Sequence, residues 1–172
     1  MSVIVRSFFD KTFHVLWRAI IIAFPTGILI WLLTNLNVNG VSIINCLVNL
    51  AEPLGKLMGL DGVILIGFIL GFPANEIVLP IALMIYMSSG ELMETNNLIE
   101  LRDILIANGW TIKTAICMII FSLMHWPCST TCLTIYKETK SIRWTLIAIL
   151  LPTICGIITC IAINLTYVSM FS

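Results

Sequence analysis

Thr145 to Ser172 is a run of 28 residues without one charged side chain. As a helix it would be about 42 Å long, more than the roughly 30 Å hydrocarbon core of a bilayer. Such a segment belongs in lipid. The remainder of the chain agrees, since 59% of its residues are hydrophobic and 10% are charged, where a soluble domain has about 25%. So few charges cannot clothe a soluble domain of 172 residues. Lipid offers no water to unpaired backbone groups, so helices and closed barrels alone can cross it. Long apolar runs, rather than alternating strands of about ten residues, select helices. The expected fold class is therefore an all-α integral membrane protein. Zero net charge takes away the basic surface that nucleic-acid binding requires. The expected partner is the lipid bilayer and not a nucleic acid.

Along the chain, residues 1–17 read as an interfacial amphipathic lead, with Phe8, Phe9, Phe13 and Trp17 beside Arg6 and Lys11. Residues 18–172 form the transmembrane domain, beginning with the uncharged Ala19–Leu33 flanked by Trp17 and Trp31. The sequence after Leu33 offers no small-x-small cleavage site, so the first span is expected to stay uncleaved. Val41–Met58 carries Asn45, Asn49, Glu52 and Lys56 and reads as an interfacial or partly buried helix that Asp61-Gly62 ends.

Gly62–Ser88 is apolar but interrupted by Gly71-Phe72-Pro73-Ala74-Asn75-Glu76. Pro73 has no backbone donor and stops a helix. Two pieces result, 62–72 and 76–88, each about half a bilayer thick. They can form one kinked span or a re-entrant hairpin. Charge favours the hairpin, because it keeps Arg6, Lys11 and Arg18 on the same cytoplasmic side as Lys137, Lys140 and Arg143. The acidic loop 89–108 then lies outside. Thr111–Met124 is apolar, with Lys113 expected to snorkel. A second break follows at His125-Trp126-Pro127-Cys128-Ser129-Thr130-Thr131-Cys132.

The two breaks hold the residues capable of chemistry. Glu76 is the one carboxylate inside an apolar stretch. An intramembrane ionisable group costs roughly 2.5–3.5 kcal/mol even on lenient scales, so it faces a cavity or a partner. Asn75 can cap the second half-helix, and a fixed cap is the alternative role for Glu76. At the second break, His125 and Cys128 flank Pro127, and Cys128 and Cys132 share a helix face at i, i+4. Ser129, Thr130 and Thr131 can satisfy freed backbone groups. Imidazole, thiol and carboxylate together suit a borderline transition metal rather than magnesium or calcium. A broken helix held by local hydrogen bonds is the alternative. Two discontinuous helices in one small unit point to a transporter binding site without naming the substrate.

Other chemistries find little support. Six cysteines stand mostly in apolar segments, where they act as small hydrophobes. The chain has no C-x-x-C pair for a structural zinc. Gly55-Lys56 is followed by Leu57, so no P-loop and no nucleotide site is expected. No enzymatic activity is expected.

Gly71-Phe72-Pro73-Ala74-Asn75-Glu76-Ile77-Val78-Leu79-Pro80, Gly109-Trp110-Thr111, and Pro127-Cys128-Ser129-Thr130-Thr131 followed by Lys137-Glu138-Thr139 closely resemble the C-terminal membrane region of the ferrous iron transport protein B (FeoB) family. The resemblance runs from about Arg18 to the end. It implies a second gate domain, related to those of concentrative nucleoside transporters, with a re-entrant helical hairpin and broken transmembrane helices. It also implies Fe(II) as transported substrate in a bacterial or archaeal inner membrane. That family couples a GTP-binding domain to the membrane part. The GTP-binding domain, spacer and first gate have no counterpart in these residues, so they are expected as separate or additional transporter parts, with a homo-oligomer possible. On this reading Glu76, His125 and Cys128 are transient iron ligands, supported by Asn75, Ser129, Thr130 and Cys132. Two rivals stay open: a gate-type module for a nucleoside or other small solute, using Asn75, Trp126 and Thr131, and a non-transporting membrane subunit.

Overall fold

The computed structural model describes residues 2–38, 41–87 and 98–171. Of the acidic residues of the expected outer loop, Glu91 and Glu94 lie outside the described residues, and Glu100 and Asp103 within them. Among the described residues the architecture is all-α apart from one two-residue antiparallel pair, as the composition required.

Helix α1 runs unbroken over Ser2–Asn35, through Pro25. The amphipathic lead and the first apolar run are thus one helix, with no interruption at residue 17. Strands β1 (Asn37–Val38) and β2 (Val41–Ser42) turn the chain back. Ser42 Oγ donates to the terminal α1 carbonyls of Leu33 and Thr34 at 3.2 and 3.0 Å, which would otherwise lack intrahelical partners.

Helix α2 (Ile43–Leu57) meets α3 (Gly62–Leu70) at a bend of 110°. Asp61 does not end the first of these helices, as its position beside Gly62 suggests. It starts the second: its Oδ1 accepts from the Ile64 N–H at 2.7 Å. Glu52 Oε2 accepts from the Gly62 N–H at 2.7 Å, and its other oxygen pairs with Lys56 at 3.2 Å. Gly62 is needed for this approach, since a Cβ there would sit 2.4 Å from the Val48 carbonyl oxygen.

Helices α3 and α4 (Val78–Met87) have nine and ten residues, about 14 and 15 Å, half a hydrocarbon core each. They fold back on one another as a hairpin. Ile66 and Leu70 meet Ile81, Met84 and Ile85 in a core shared with Ile30 of α1 and Ile44 of α2. The opposite side of α3, through Ile64, Leu65 and Phe68, packs on Cys117 and Phe121 of the next long segment and Cys160 of the last. A helix apolar all round must be enclosed, and α3 is enclosed between these two cores.

Helix α5 (Leu98–Ala107) leads into α6 (Ile112–Met124), which continues after a break as α7 (Ser129–Thr139). Together α6 and α7 make one 28-residue segment long and apolar enough to cross a membrane, and α8 (Ile142–Phe171) supplies another. Lys113, near the start of α6, is tied to another helix. Its Nζ donates to Asn164 Oδ1 of α8 at 2.9 Å, while Asn164 Nδ2 donates to the Lys56 and Leu57 carbonyls at 3.0 Å each. One amide thus ties together the start of α6, the end of α2 and α8.

Candidate functional site

The two chain breaks meet. The hairpin tip turns by backbone bonds from Phe72 N–H to Ile69 O at 3.3 Å and from Ala74 N–H to Gly71 O at 3.0 Å. A 3₁₀ turn over Asn75–Ile77 then leads into α4. Ala74, not Asn75, holds the N-cap position and makes no side-chain cap. Asn75 and Glu76 are exposed on the tip. From there, the Phe72 carbonyl accepts from the Ser129 N–H at 3.0 Å. That bond joins the hairpin tip to the first residue of α7. Ser129 begins a helix, where N–H groups lack internal partners, and Phe72 leaves one, where a carbonyl lacks its own.

Helix α6 ends because Pro127 cannot donate into it. His125 is extended and its N–H closes the last turn on Phe121 O at 2.8 Å. Its side chain is 7% exposed. The ring lies 4.8 Å from that of Phe68, 5.9 Å from Phe121 and 5.8 Å from Trp126. His125 Nδ1 is 3.1 Å from Phe121 O and 2.9 Å from Ser122 O. Carbonyls only accept, so Nδ1 carries the proton, and Nε2 of the neutral ring keeps its lone pair. That Nε2 is buried without a hydrogen-bond partner, as are Trp126 Nε1 and Ser129 Oγ. Three orphaned polar atoms within five residues mark the break. Each costs about 1–3 kcal/mol when left unmade, an outlay that a ligand would recover.

Cys128 is the N-cap residue of α7 and is partly exposed. Its Sγ contacts the hydroxyls of Thr130 and Thr131, both at 3.1 Å. Cys132, expected beside it, is buried and its thiol donates to the Pro127 carbonyl at 3.3 Å. It satisfies a backbone group freed by the break. Cys160 likewise donates to the Cys117 carbonyl at 3.4 Å. Among the described residues, no three His, Cys, Asp or Glu side chains gather as a metal cluster. Glu76, His125 and Cys128 thus do not form one preformed set.

A polar chain at the base of the hairpin is absent from the sequence expectation. Tyr86, near the end of α4, donates its phenol hydrogen to Asp61 Oδ2. Trp110, just before α6, donates its indole N–H to the Tyr86 oxygen at 2.8 Å. The available signal was Asp61 directly ahead of an apolar run, an N-cap pattern. Tyr86 and Trp110 lie 25 and 49 residues further on, beyond the reach of any local pattern.

Comparison with known proteins places this geometry. Residues 16–142 match the Gate family, described as nucleoside recognition. Two proteins named Fe(2+) transporter FeoB, from Staphylococcus aureus strains MSSA476 and COL, are each 30% identical over 162 residues, covering 87% of this chain and 22% of their own length. The chain thus spans about a fifth of these relatives. No solved structure matches. With its hairpin of half-helices packed against a broken membrane helix, and a family match across most of its length, the chain belongs to the Gate (nucleoside recognition) family of membrane domains.

Proposed function

We propose that this chain forms part of the passage for Fe(II) in a membrane transporter. The single observation that carries the reading is the second break, where the uncommitted lone pair of His125 Nε2 lies three residues from the Cys128 thiol. Nitrogen and sulfur donors suit a borderline divalent metal. The backbone carbonyls on Nδ1 fix the ring as they do in metal-ligating histidines. Glu76 at the exposed tip draws the cation in, and Asn75, Ser129 and Thr130 assist as oxygen or amide partners. The ligands act in sequence rather than as one cage. This agrees with a conduit, which must bind weakly enough to release. The names of the relatives support Fe(II) over other metals. The chain works without chemical catalysis, in the inner membrane of a bacterium or archaeon. Its GTP-binding domain and remaining transporter parts lie outside these residues. Residues 18–172 act as the gate unit and 1–17 as its interfacial lead.

A nucleoside is the second reading, favoured by the orphaned Trp126 N–H and the family description. Anaerobic titration of the purified chain in detergent, with Fe(II) and separately with uridine, distinguishes the two. Fe(II) binding that is lost in Cys128→Ser and kept in Cys155→Ser supports the iron passage. Saturable uridine binding with no Fe(II) binding overturns it.

A further inference from the structure

Helix α5 shares no extensive packing surface with any other helix among the described residues. Between it and the start of α6 lies a cavity of about 580 Å³. Leu101 and Leu105 line it from α5, and Ile112 and Ala115 from α6, with Trp110 at the joint. Leu98, Leu101 and Leu105 recur at helical spacing, and Arg102 shares their face. Arg102 also lines the cavity. A guanidinium on an apolar wall calls for an anion, and Arg102 makes no ion pair among the described residues. The other polar groups on the wall are committed. The Trp110 N–H goes to Tyr86, and the Thr111 hydroxyl caps α6 through Thr114. The wedge therefore offers a long apolar surface and a guanidinium without an ion pair among the described residues. Leu98, Ile99, Ile106 and Ile112 leave its surroundings apolar as well.

We infer that the α5–α6 wedge is a binding site for an anionic phospholipid, its acyl chain along Leu101, Leu105 and Ala115 and its phosphate on Arg102. Charge complementarity chooses the occupant. A guanidinium pairs with phosphate through two parallel hydrogen bonds, and basic pockets beside membrane helices take anionic headgroups. A phosphatidylcholine would bring a second cation toward Arg102, whereas phosphatidylglycerol would not. This inference is independent of what passes through the break.

The test is native mass spectrometry of the full chain released from nanodiscs holding equal amounts of phosphatidylglycerol and phosphatidylcholine. The wild-type chain is expected to retain one lipid, with phosphatidylglycerol favoured about fivefold, the weight of one basic residue near anionic lipid. Arg102→Gln, a change at an exposed position, should keep the lipid and lose the preference. Ala115→Phe fills the wedge and should remove lipid of either kind. An unchanged preference in Arg102→Gln overturns the inference, as does a wild-type chain that retains no lipid. A second copy of the chain held in place of lipid, or oleate displacing phosphatidylglycerol one for one, assigns the wedge to another occupant and overturns it equally.

Discussion

The two breaks in this chain begin alike and finish differently. Each interrupts an apolar segment at a proline. The hairpin tip closes on itself: Phe72, Ala74 and Ile77 donate backward to Ile69, Gly71 and Ala74, and its polar side chains Asn75 and Glu76 face out. The break between α6 and α7 closes its main chain too, yet leaves His125 Nε2, Trp126 Nε1 and Ser129 Oγ buried and unmatched. A proline interruption alone therefore does not make a binding region. What separates the two is unmatched polarity under cover, which among the described residues the second break has and the hairpin tip has not.

The strongest attack on this contrast is steric. A Cβ at Gly71 would meet Val78 Cγ2 at 2.6 Å, so Gly71→Val should force the tip apart and cost about 1–3 kcal/mol. Val78→Ala in the same chain should restore part of the loss, read as thermal unfolding in detergent. If no loss is seen, the tight tip is not a feature of the folded protein. Next, His125→Phe keeps an aromatic ring against Phe68 and Phe121 but has no Nε2. Fe(II) affinity should fall about tenfold or more while unfolding temperature moves little. An equal fall in both would reduce His125 to a packing residue.

Ser129→Pro separates the breaks themselves. Proline is tolerated at the first position of a helix, so α7 should persist while the bond to Phe72 O disappears, a loss of about 1 kcal/mol. Faster hydrogen exchange at Ala74 and Ile77, not seen in Ser129→Ala, would report it. The smallest effect is expected at Glu76. Because this carboxylate is exposed, Glu76→Gln should lower iron uptake about two- to fivefold at limiting Fe(II), and high iron should restore it. Uptake would be measured in a full-length transporter carrying this domain. A defect that persists at saturation would place Glu76 deeper in the passage than the tip allows.

Both interruptions were legible from sequence, because Pro73 and Pro127 act within a single turn by removing a donor. The half-bilayer lengths of α3 and α4 followed from Pro73, which divides the apolar stretch Gly62–Ser88. His125 and Cys128 could be picked out by chemistry, but the orphaned state of Nε2 could not, since it depends on Phe68 from the hairpin covering the ring. Lys113 illustrates the limit well. From sequence it is a lysine near a helix start with water in reach. In the fold its partner is Asn164, 51 residues away, and no periodicity carries that pairing. Asp61 misled for a related reason, because an aspartate beside a glycine fits the end of one helix as well as the start of another.

The Asp61–Tyr86–Trp110 chain has a mechanical consequence. It clamps the open end of the hairpin to the entrance of α6, while the far end is held by the bond from Ser129 to Phe72. The hairpin is thus pinned to the α6–α7 segment at both ends, with Phe68 packed on Phe121 and His125 between the pins. With α3 about 14 Å long, a tilt of roughly 10° about Asp61 would carry the tip about 2 Å, enough to part the bond from Ser129 to Phe72, so the two pins hold the tip in register with the second break. Substitutions at Asp61, a helix length from the tip, would thus be felt at the second break through the position of the hairpin rather than through any group of the break itself.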